Sequence, residues 1–446
     1  MPEESMAAVV PPLAPPTEPR FPPYDQRLLR NGLTVAALRR VGVPLVEVRI
    51  RLPLLAGKPK SRARADVLSE TLLAGTERQD KVHIAARVQG LGATLSVDSD
   101  DDWLKISGSV LSSRLYDLLE LVAEVLSGPT FPAAEVTGEA ARLAERIRIS
   151  RSQAGVQAAE ALAERLYGTH PYGLGLPDPG EVSRVRGAAL RAFFAAKVAP
   201  AGGSVVLVGD SEPQRLLDSA ETALSGWTGE EGAEGGRAKP PRFRTDGPLL
   251  LVDRAGSVQS SIRLGGPAPR RDDPHYPAFQ LANLVFGGYF SSRLVTNLRE
   301  EKGYTYSPHS MVTHHAACSQ LTVQADVATE VTAPALLETH YELGRIASLA
   351  VSQSELDDAR EYAIGSLAVG TASHAGLAST VASLLASGVP ATFLVEHPAR
   401  LRQVTVDQVL EQARRFLAPS RLAVVVVGSA DTVSDPLHAL GSVERG

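Results

Sequence analysis

An internal repeat is the feature that most constrains the fold of this chain. The segment APAGGSVVLVG, residues 199–209, is matched by APSRLAVVVVG, residues 418–428, and the shared Ala, Pro and Gly all lie 219 residues apart. Val185 and Val404 keep the same offset, and each precedes a helical pattern. Valine-rich strands resemble one another by chance, but an ungapped offset over this length favours a true duplication. The sequence therefore predicts two homologous domains.

Two breaks in composition give the boundaries of these domains. Residues 1–24 contain eight prolines, which block helix and sheet hydrogen bonds, so this segment is interpreted as a flexible arm. Residues 229–247 are rich in Gly, Glu and Pro and have no apolar period, which is typical of an exposed linker. The domains are therefore expected at residues 25–228 and 248–446.

Within each half, strands come first and helices follow. Asn31-Gly32 and Asp246-Gly247 each precede two β-rich segments, interpreted as two strands joined by a turn. Helical patterns follow, as in residues 113–127, where apolar side chains recur at i, i+3, i+4 and i+7. We expect an α+β fold of two homologous domains, each a largely antiparallel sheet covered by helices, that together form half of a clam-shell.

Composition excludes several classes of partner. The net charge is −5, whereas a nucleic-acid interface needs a basic face, so no nucleic acid is expected. The one cysteine, Cys318, forms neither an internal disulfide nor a cysteine zinc site, and it fits a reducing, cytoplasmic compartment. No stretch approaches the roughly 20 apolar residues of a membrane helix, and the N-terminus lacks the pattern of a signal peptide. No membrane partner is expected.

The common hydrolase motifs are absent from the sequence. It contains no HExxH, no HxxEH, no glycine-rich phosphate loop and no G-x-S-x-G elbow. The ten histidines are scattered, and only His314 and His315 are adjacent. Adjacent side chains point in different directions on a helix or a strand, so this pair is interpreted as ordinary polar residues of a strand or loop.

One segment carries a specific pattern, LVFGGYFSSRLVTNLREEKGYTYS at residues 284–307. It contains a short glycine-rich stretch, then S-R-L, then L-R-E, then G-x-x-Y-S. This order resembles the second-domain signature of the pitrilysin/insulinase family of metallopeptidases. The resemblance extends from about Arg27 to Val433 and includes HPYG at residues 170–173 and GDS at residues 209–211.

The resemblance also implies where active members of that family bind zinc. Their metal helix ends in Gly-Thr, and anchoring on Gly75-Thr76 places Asp66, Ser69 and Glu70 where HxxEH has His, Glu and His. The third ligand of the family, a Glu on a later helix, matches Arg146. Serine is too weak a base to activate water, and arginine does not ligate zinc. We therefore expect no catalytic residue and no metal in this chain, and an ordinary charged helix face at Asp66 and Glu70.

Arg299 and Tyr306 survive in the signature. The resemblance implies that such a pair reaches across a closed chamber and contacts the substrate backbone beside the zinc of the opposite element. Arginine supplies a rigid fork of donors for carbonyl oxygens, and a tyrosine hydroxyl stabilises an oxyanion. The structural alternative is a helix-surface ion pair for Arg299 and strand packing for Tyr306.

The leading hypothesis is the non-catalytic, substrate-binding subunit of a heterodimeric bacterial zinc metalloendopeptidase, similar to the alpha subunit of the mitochondrial processing peptidase. The partner would be a homologous chain that carries HxxEH and the zinc. The substrate would be an unfolded or leader-type peptide, bound as an added edge strand. Two alternatives stay open: a structural scaffold like the core proteins of a respiratory complex, and an active zinc metallopeptidase with unusual ligands.

Overall fold

The computed structural model describes residues 22–230 and 232–446. Most of the expected proline-rich arm, residues 1–24, lies outside this part of the chain, and Tyr24 already belongs to the first strand. The described residues form two six-stranded sheets with helices packed around them. The expected α+β fold with two domains is therefore confirmed.

The strands of the first half are β1 Tyr24–Leu28, β2 Thr34–Arg39, β3 Leu45–Pro53, β4 Thr94–Ser99, β5 Trp103–Leu111 and β6 Ser204–Gly209. Those of the second half are β7 Leu249–Asp253, β8 Gln259–Ala268, β9 His309–His314, β10 Ser319–Ala328, β11 Ala423–Gly428 and β12 Val443–Arg445.

The helices of the first half are α1 Pro59–Thr71, α2 Lys81–Gly90, α3 Leu115–Ser127, α4 Ala133–Arg151, α5 Ala154–Tyr167, α6 Pro179–Ser183, α7 Gly187–Lys197 and α8 Pro213–Leu224. Those of the second half are α9 Tyr276–Asn283, α10 Arg293–Val295, α11 Thr332–Ser348, α12 Gln353–Gly370, α13 His374–Ala386, α14 Phe393–Arg402, α15 Val406–Phe416 and α16 Ala430–His438. Two π-helical segments lie at Leu284–Gly288 and Thr296–Glu301.

The repeated strands occupy the same place in the two sheets. The strand orders are β1-β2-β6-β3-β5-β4 and β12-β7-β11-β8-β10-β9. β6 runs parallel to β2 and antiparallel to β3, and β11 runs parallel to β7 and antiparallel to β8. The two halves thus share the order and direction of five strands, as the repeat predicts, and differ at the outer strand.

The strand pairs that were expected to be joined by a turn, β2 with β3 and β7 with β8, are not neighbours in their sheets. β6 lies between β2 and β3, and β11 lies between β7 and β8. Every residue of β6 is buried, and most are valine or leucine. Such a strand is most stable at the centre of a sheet, where both edges are hydrogen-bonded and both faces are covered.

The glycine that ends each repeated strand is required by close packing. A Cβ added at Gly209 would lie 2.7 Å from Cγ2 of Val46, and one added at Gly428 would overlap the side chain of Ser260. Distances this short are not found for real Cβ atoms. Because Val46 and Ser260 belong to the equivalent strands β3 and β8, the repeat preserves the same close approach in both halves.

Each half lends a helix to the other half. α5 belongs to the first half of the chain but packs on β8 and β11 of the second sheet, whereas α13 of the second half packs on β3 and β6 of the first sheet. Leu162 of α5 and Val381 of α13 are both buried in these contacts, and they again lie 219 residues apart. Each sheet is therefore covered on one face by its own helices and on the other by a helix from the opposite half.

The buried carboxylate of Asp102 also joins the two halves, because it links the turn before β5 to the turn between β9 and β10. Oδ1 of Asp102 accepts a hydrogen bond of 2.8 Å from the Tyr172 hydroxyl, and Oδ2 accepts one of 2.9 Å from the backbone N–H of Ala316. The ring of His315 stacks on Tyr172, with centroids 4.2 Å apart. Burial raises the pKa of Asp102, while these hydrogen bonds oppose the rise.

The described part of the linker, residues 232–247, runs along the first half without regular structure. The carbonyl of Gly235 accepts a hydrogen bond of 2.7 Å from the N–H of Leu55, and the N–H of Arg244 donates one of 3.0 Å to Leu166. The carbonyl of Lys239 also lies 2.8 Å from Nε2 of His170. The linker is therefore held on the surface of the first half.

We expect Leu162→Ala to destabilise both halves together. The variant leaves a cavity between α5 and the second sheet, which costs about 2–5 kcal/mol of the free energy of unfolding. Tryptophan fluorescence reports on the first half, because Trp103 and Trp227 both lie there, and far-UV circular dichroism reports on all helices. In urea, both signals should move to the same lower midpoint.

Leu337→Ala is the matched control, because Leu337 is 52% exposed and its truncation should shift the free energy of unfolding by no more than about 0.5 kcal/mol. Two separate transitions in the Leu162→Ala chain, with the tryptophan signal unshifted, would contradict the exchange of helices.

Candidate functional site

The four expected zinc positions lie close together on the first half. One face of α1 is buried and includes Ala63, Val67 and Leu68. Asp66 and Ser69 are partly buried, and Glu70 is exposed. Glu70 forms an ion pair with Arg146 of α4. The structure thus brings these residues together, at positions where side chains from α1 and α4 meet.

Arginine is the counter-charge of both carboxylates. Oδ1 of Asp66 lies 3.3 Å from Nε of Arg62, and Arg62 pairs in turn with Asp101. The hydroxyl of Ser99 lies 3.4 Å from Oδ1 of Asp66 and 3.3 Å from Oγ of Ser69. Burial raises the pKa of Asp66, and the Arg62 charge opposes this rise.

This arrangement does not fit zinc. A zinc site of this kind needs imidazole, thiolate or carboxylate ligands in a tetrahedral set, whereas here both carboxylates already bind guanidinium groups. Between residues 22 and 446, apart from residue 231, no group of three or more His, Cys, Asp or Glu side chains is arranged to hold a metal. The chemistry of the cluster is that of ion pairing between two helices.

The signature of the second half is anchored by a nearly buried arginine. The side chain of Arg293 is 9% exposed, and its Nε and Nη2 donate hydrogen bonds of 2.7 and 3.0 Å to the two oxygens of Glu355. Glu355 also completes the capping box of α12 with Ser352. Arg293 therefore fixes the signature segment to the start of α12, and its role is structural.

The π-helical segment after α10 turns Arg299 outward. On one side, the amide of Asn297 donates two hydrogen bonds of 3.0 Å, to Glu338 and Glu342 of α11. The segment ends at Glu301. Gly303, two residues later, has a positive φ of 65°, a conformation that glycine adopts without strain. The chain then leaves the helix and presents Tyr306 in a loop before β9.

Arg299 and Tyr306 are in contact, and Phe290 joins them. The guanidinium carbon of Arg299 lies 4.5 Å from the ring centroid of Tyr306 and 4.7 Å from that of Phe290, within the range of cation–π attraction. Tyr306 is 79% exposed and Phe290 is 62% exposed. We call these three residues the Arg299 cluster.

The structural alternative, an ion pair for Arg299 and strand packing for Tyr306, is present only in part. Nε of Arg299 lies 3.1 Å from Oε1 of the adjacent Glu300, so a helix-surface ion pair is present. Tyr306 lies in a loop and not in a strand. Phe290 was not identified from the sequence, although a large apolar residue among the small and polar residues of the signature is the signal that could have found it.

Comparison with known proteins supports the resemblance seen in the sequence. Residues 184–362, which include the Arg299 cluster, match the sequence model of the family described as Peptidase M16 inactive domain. The resemblance to pitrilysin/insulinase-type peptidases is therefore confirmed.

The chain is also similar to several curated relatives. It is 23% identical over 387 residues to an uncharacterized zinc protease of Streptomyces coelicolor, covering 85% of this chain and 84% of the relative. It is 26% identical over 371 residues to an uncharacterized zinc protease of Mycobacterium bovis, covering 82% and 83%. A non-peptidase homolog of Helicobacter pylori is 22% identical over 337 residues, covering 74% and 76%.

Solved structures share the fold. A peptidase M16 inactive domain from Pseudomonas fluorescens superposes with a TM-score of 0.83 and 24% identity, covering 91% of this chain and 98% of that one. A protease from Helicobacter pylori gives a TM-score of 0.83 and 18% identity, covering 92% and 100%.

Among the described residues, no helix is both long enough and apolar enough to cross a membrane.

We expect the purified chain to bind no stoichiometric zinc, because Asp66 and Glu70 already form ion pairs with Arg62 and Arg146. The measurement is metal content after dialysis against zinc and then against zinc-free buffer. One tightly bound zinc per chain, lost in Asp66→Ala or Glu70→Ala, would contradict the expectation. Loss of zinc in His83→Ala instead would point to adventitious binding, because the His83 side chain is exposed.

The Arg293–Glu355 pair predicts an acid-dependent stability. Hydrogen bonds from Arg293 lower the pKa of Glu355 to about 2, below the value of about 4.3 for an unperturbed glutamate. The folded chain therefore binds this proton more weakly, so the pair stabilises the fold above about pH 4.3, and its contribution is lost as the pH falls towards 2.

Glu355→Gln should therefore lower the melting temperature at pH 7 and reduce its dependence on pH between about 4.5 and 2. Glu361→Gln, on an exposed position of the same helix, is the control and should follow the wild type. A Glu355→Gln chain with the wild-type acid profile would show that the ion pair contributes nothing to the fold.

Proposed function

We propose that this chain is the non-catalytic, substrate-binding subunit of a heterodimeric zinc metalloendopeptidase that acts on peptides. One observation carries the proposal: arginines neutralise the former zinc positions, while the Arg299 cluster is intact and exposed. Hydrolysis would then be supplied by a homologous partner with an HxxEH helix and zinc. We propose a cytoplasmic setting, which accords with the single thiol, Cys318.

The cluster suits peptide backbone. Because aromatic rings pack against the guanidinium of Arg299, its orientation is restricted, and the N–H groups that are not paired with Glu300 would donate to a carbonyl or carboxylate oxygen. The Tyr306 hydroxyl is free to donate a hydrogen bond to an oxygen that gains negative charge. Both groups would act on a substrate whose scissile bond lies at the partner's metal.

The edges of the two sheets offer a way to hold an unfolded peptide. β4 and β9 are the last strands of their sheets, so one side of each has no strand partner among the described residues. An extended peptide adds to such an edge through main-chain hydrogen bonds, without regard to most side chains. An unfolded or leader-type peptide is the substrate class that fits this mode.

The names of the relatives support the proposal unequally. The Helicobacter relative is named a non-peptidase homolog, in keeping with a chain that has lost its catalytic groups. Others are named zinc proteases, which fits a function within peptide hydrolysis. A non-catalytic subunit of a peptidase accommodates both descriptions.

We expect Arg299→Ala and Tyr306→Phe to lower peptide turnover by the native heterodimer, obtained by copurification of the partner with the tagged chain. Loss of an oxyanion donor costs on the order of 100-fold in turnover, and a smaller loss would indicate substrate positioning. Complex formation and melting temperature should be unchanged, because both side chains contact solvent. Turnover of a quenched fluorescent peptide is the measurement.

The controls are Arg184→Ala and Tyr116→Phe, which alter exposed side chains of the first half. Unchanged turnover in both cluster variants, with the heterodimer intact, would leave the chain as a scaffold. Isolation of the native chain without any peptidase partner would contradict the heterodimer itself.

A further inference from the structure

We propose that Phe290 and Tyr306 form a subsite for one large apolar side chain of the bound peptide, next to the backbone oxygen that Arg299 would hold. The inference rests on the proposed peptide-binding function and adds a sequence preference to it. Phe290 is thereby assigned a role in specificity.

The exposure of Phe290 is unusual for its residue type. Phenylalanine is among the residues most often buried, yet this ring is 62% exposed. Phe290 and Ser291 are the exposed residues of a turn. Before the turn, Tyr289 packs on Tyr362, with ring centroids 5.0 Å apart, and after it Ser292 is buried. Packing on both sides of the turn therefore directs Phe290 outward, which suits a preformed binding surface.

The position of this backbone is fixed next to an open sheet edge. A Cβ added at Gly287 would lie 2.9 Å from Oγ of Ser310 in β9, so only glycine allows the segment to pack this closely on the strand. Phe290 follows three residues later. An extended peptide added at β9 would therefore run close to the two exposed rings.

The local charge favours an apolar ligand. Arg299 pairs with Glu300, so the positive charge of the cluster is largely compensated and gives little preference for acidic side chains. The two aromatic rings supply dispersion and hydrophobic burial, which reward leucine or phenylalanine in the peptide over serine or glycine. Hydrogen bonds from Arg299 go to the backbone, so they contribute equally to all peptides.

The test uses the full-length chain and two fluorescein-labelled 11-residue peptides of Gly, Ala and Ser. The peptides are identical except for Leu or Ser at the centre, and binding is followed by fluorescence anisotropy. Burying about half of a leucine side chain predicts roughly fivefold tighter binding of the Leu peptide. Phe290→Ala should reduce this ratio to below about twofold, whatever common change in the affinity for both peptides follows from loss of its contact with Arg299.

Two further variants test whether the preference for Leu depends on an apolar surface at residue 290 and on its place in the Arg299 cluster. Phe290→Leu retains an apolar surface and should keep most of the preference. Tyr341→Ala removes a ring that is 58% exposed on α11, outside the cluster, and should change neither affinity. Because Phe290 is exposed, melting temperatures of its variants should equal that of the wild type.

Several outcomes would overturn the subsite. A wild-type chain that does not distinguish the peptides, or a Phe290→Ala chain with the wild-type ratio, removes it. Equal weakening of both peptides by Phe290→Ala would show that the ring only positions Arg299. The proposed function is tested separately by Arg299→Ala, which should weaken both peptides alike; if it weakens neither, peptide binding at this cluster fails.

Discussion

The fold depends on the exchange of one helix between its halves. α5 covers the face of the second sheet that the helices of the second half leave open, and α13 covers the corresponding face of the first sheet. Ala36, Leu38 and Val206 would otherwise expose a broad apolar surface, which isolated domains rarely tolerate. Since burial of apolar area is the main favourable term in folding, neither half reaches its full stability alone. The contact through Asp102 then fixes the turns that meet between the sheets.

The two arginines of the second-half signature, Arg293 and Arg299, have different roles. Arg293 is used internally and fixes the segment to α12, whereas Arg299 is turned outward by the π-helical segment that follows. The two arginines lie six residues apart in one motif, and a motif match alone gives them equal weight. Burial and partners distinguish them: Arg293 is 9% exposed in a bidentate pair with Glu355, whereas the Arg299 side chain is 28% exposed and has an ion pair only with Glu300 among the described residues.

The sequence predicted the two-domain fold through its 219-residue offset, which also relates Leu162 to Val381 in the exchanged helices. It did not predict that β6 and β11 insert between strands adjacent in the chain, because central placement depends on long-range pairing. The structure brings Asp66, Ser69, Glu70 and Arg146 together; the pairing of Asp66 with Arg62 is local to one helix, whereas that of Arg62 with Asp101 depends on packing of a distant turn. Phe290 was missed because periodicity treats an apolar residue as part of the core.

The exchanged helices also have a consequence for synthesis on the ribosome. Residues 22–230 emerge first, but the helix that covers the open face of their sheet begins at His374. At about 5–20 residues per second, the first sheet would wait on the order of ten seconds with that face uncovered. The nascent chain is thus exposed to aggregation and to chaperones throughout that interval, and completion of its first core is postponed until most of the second half has been translated.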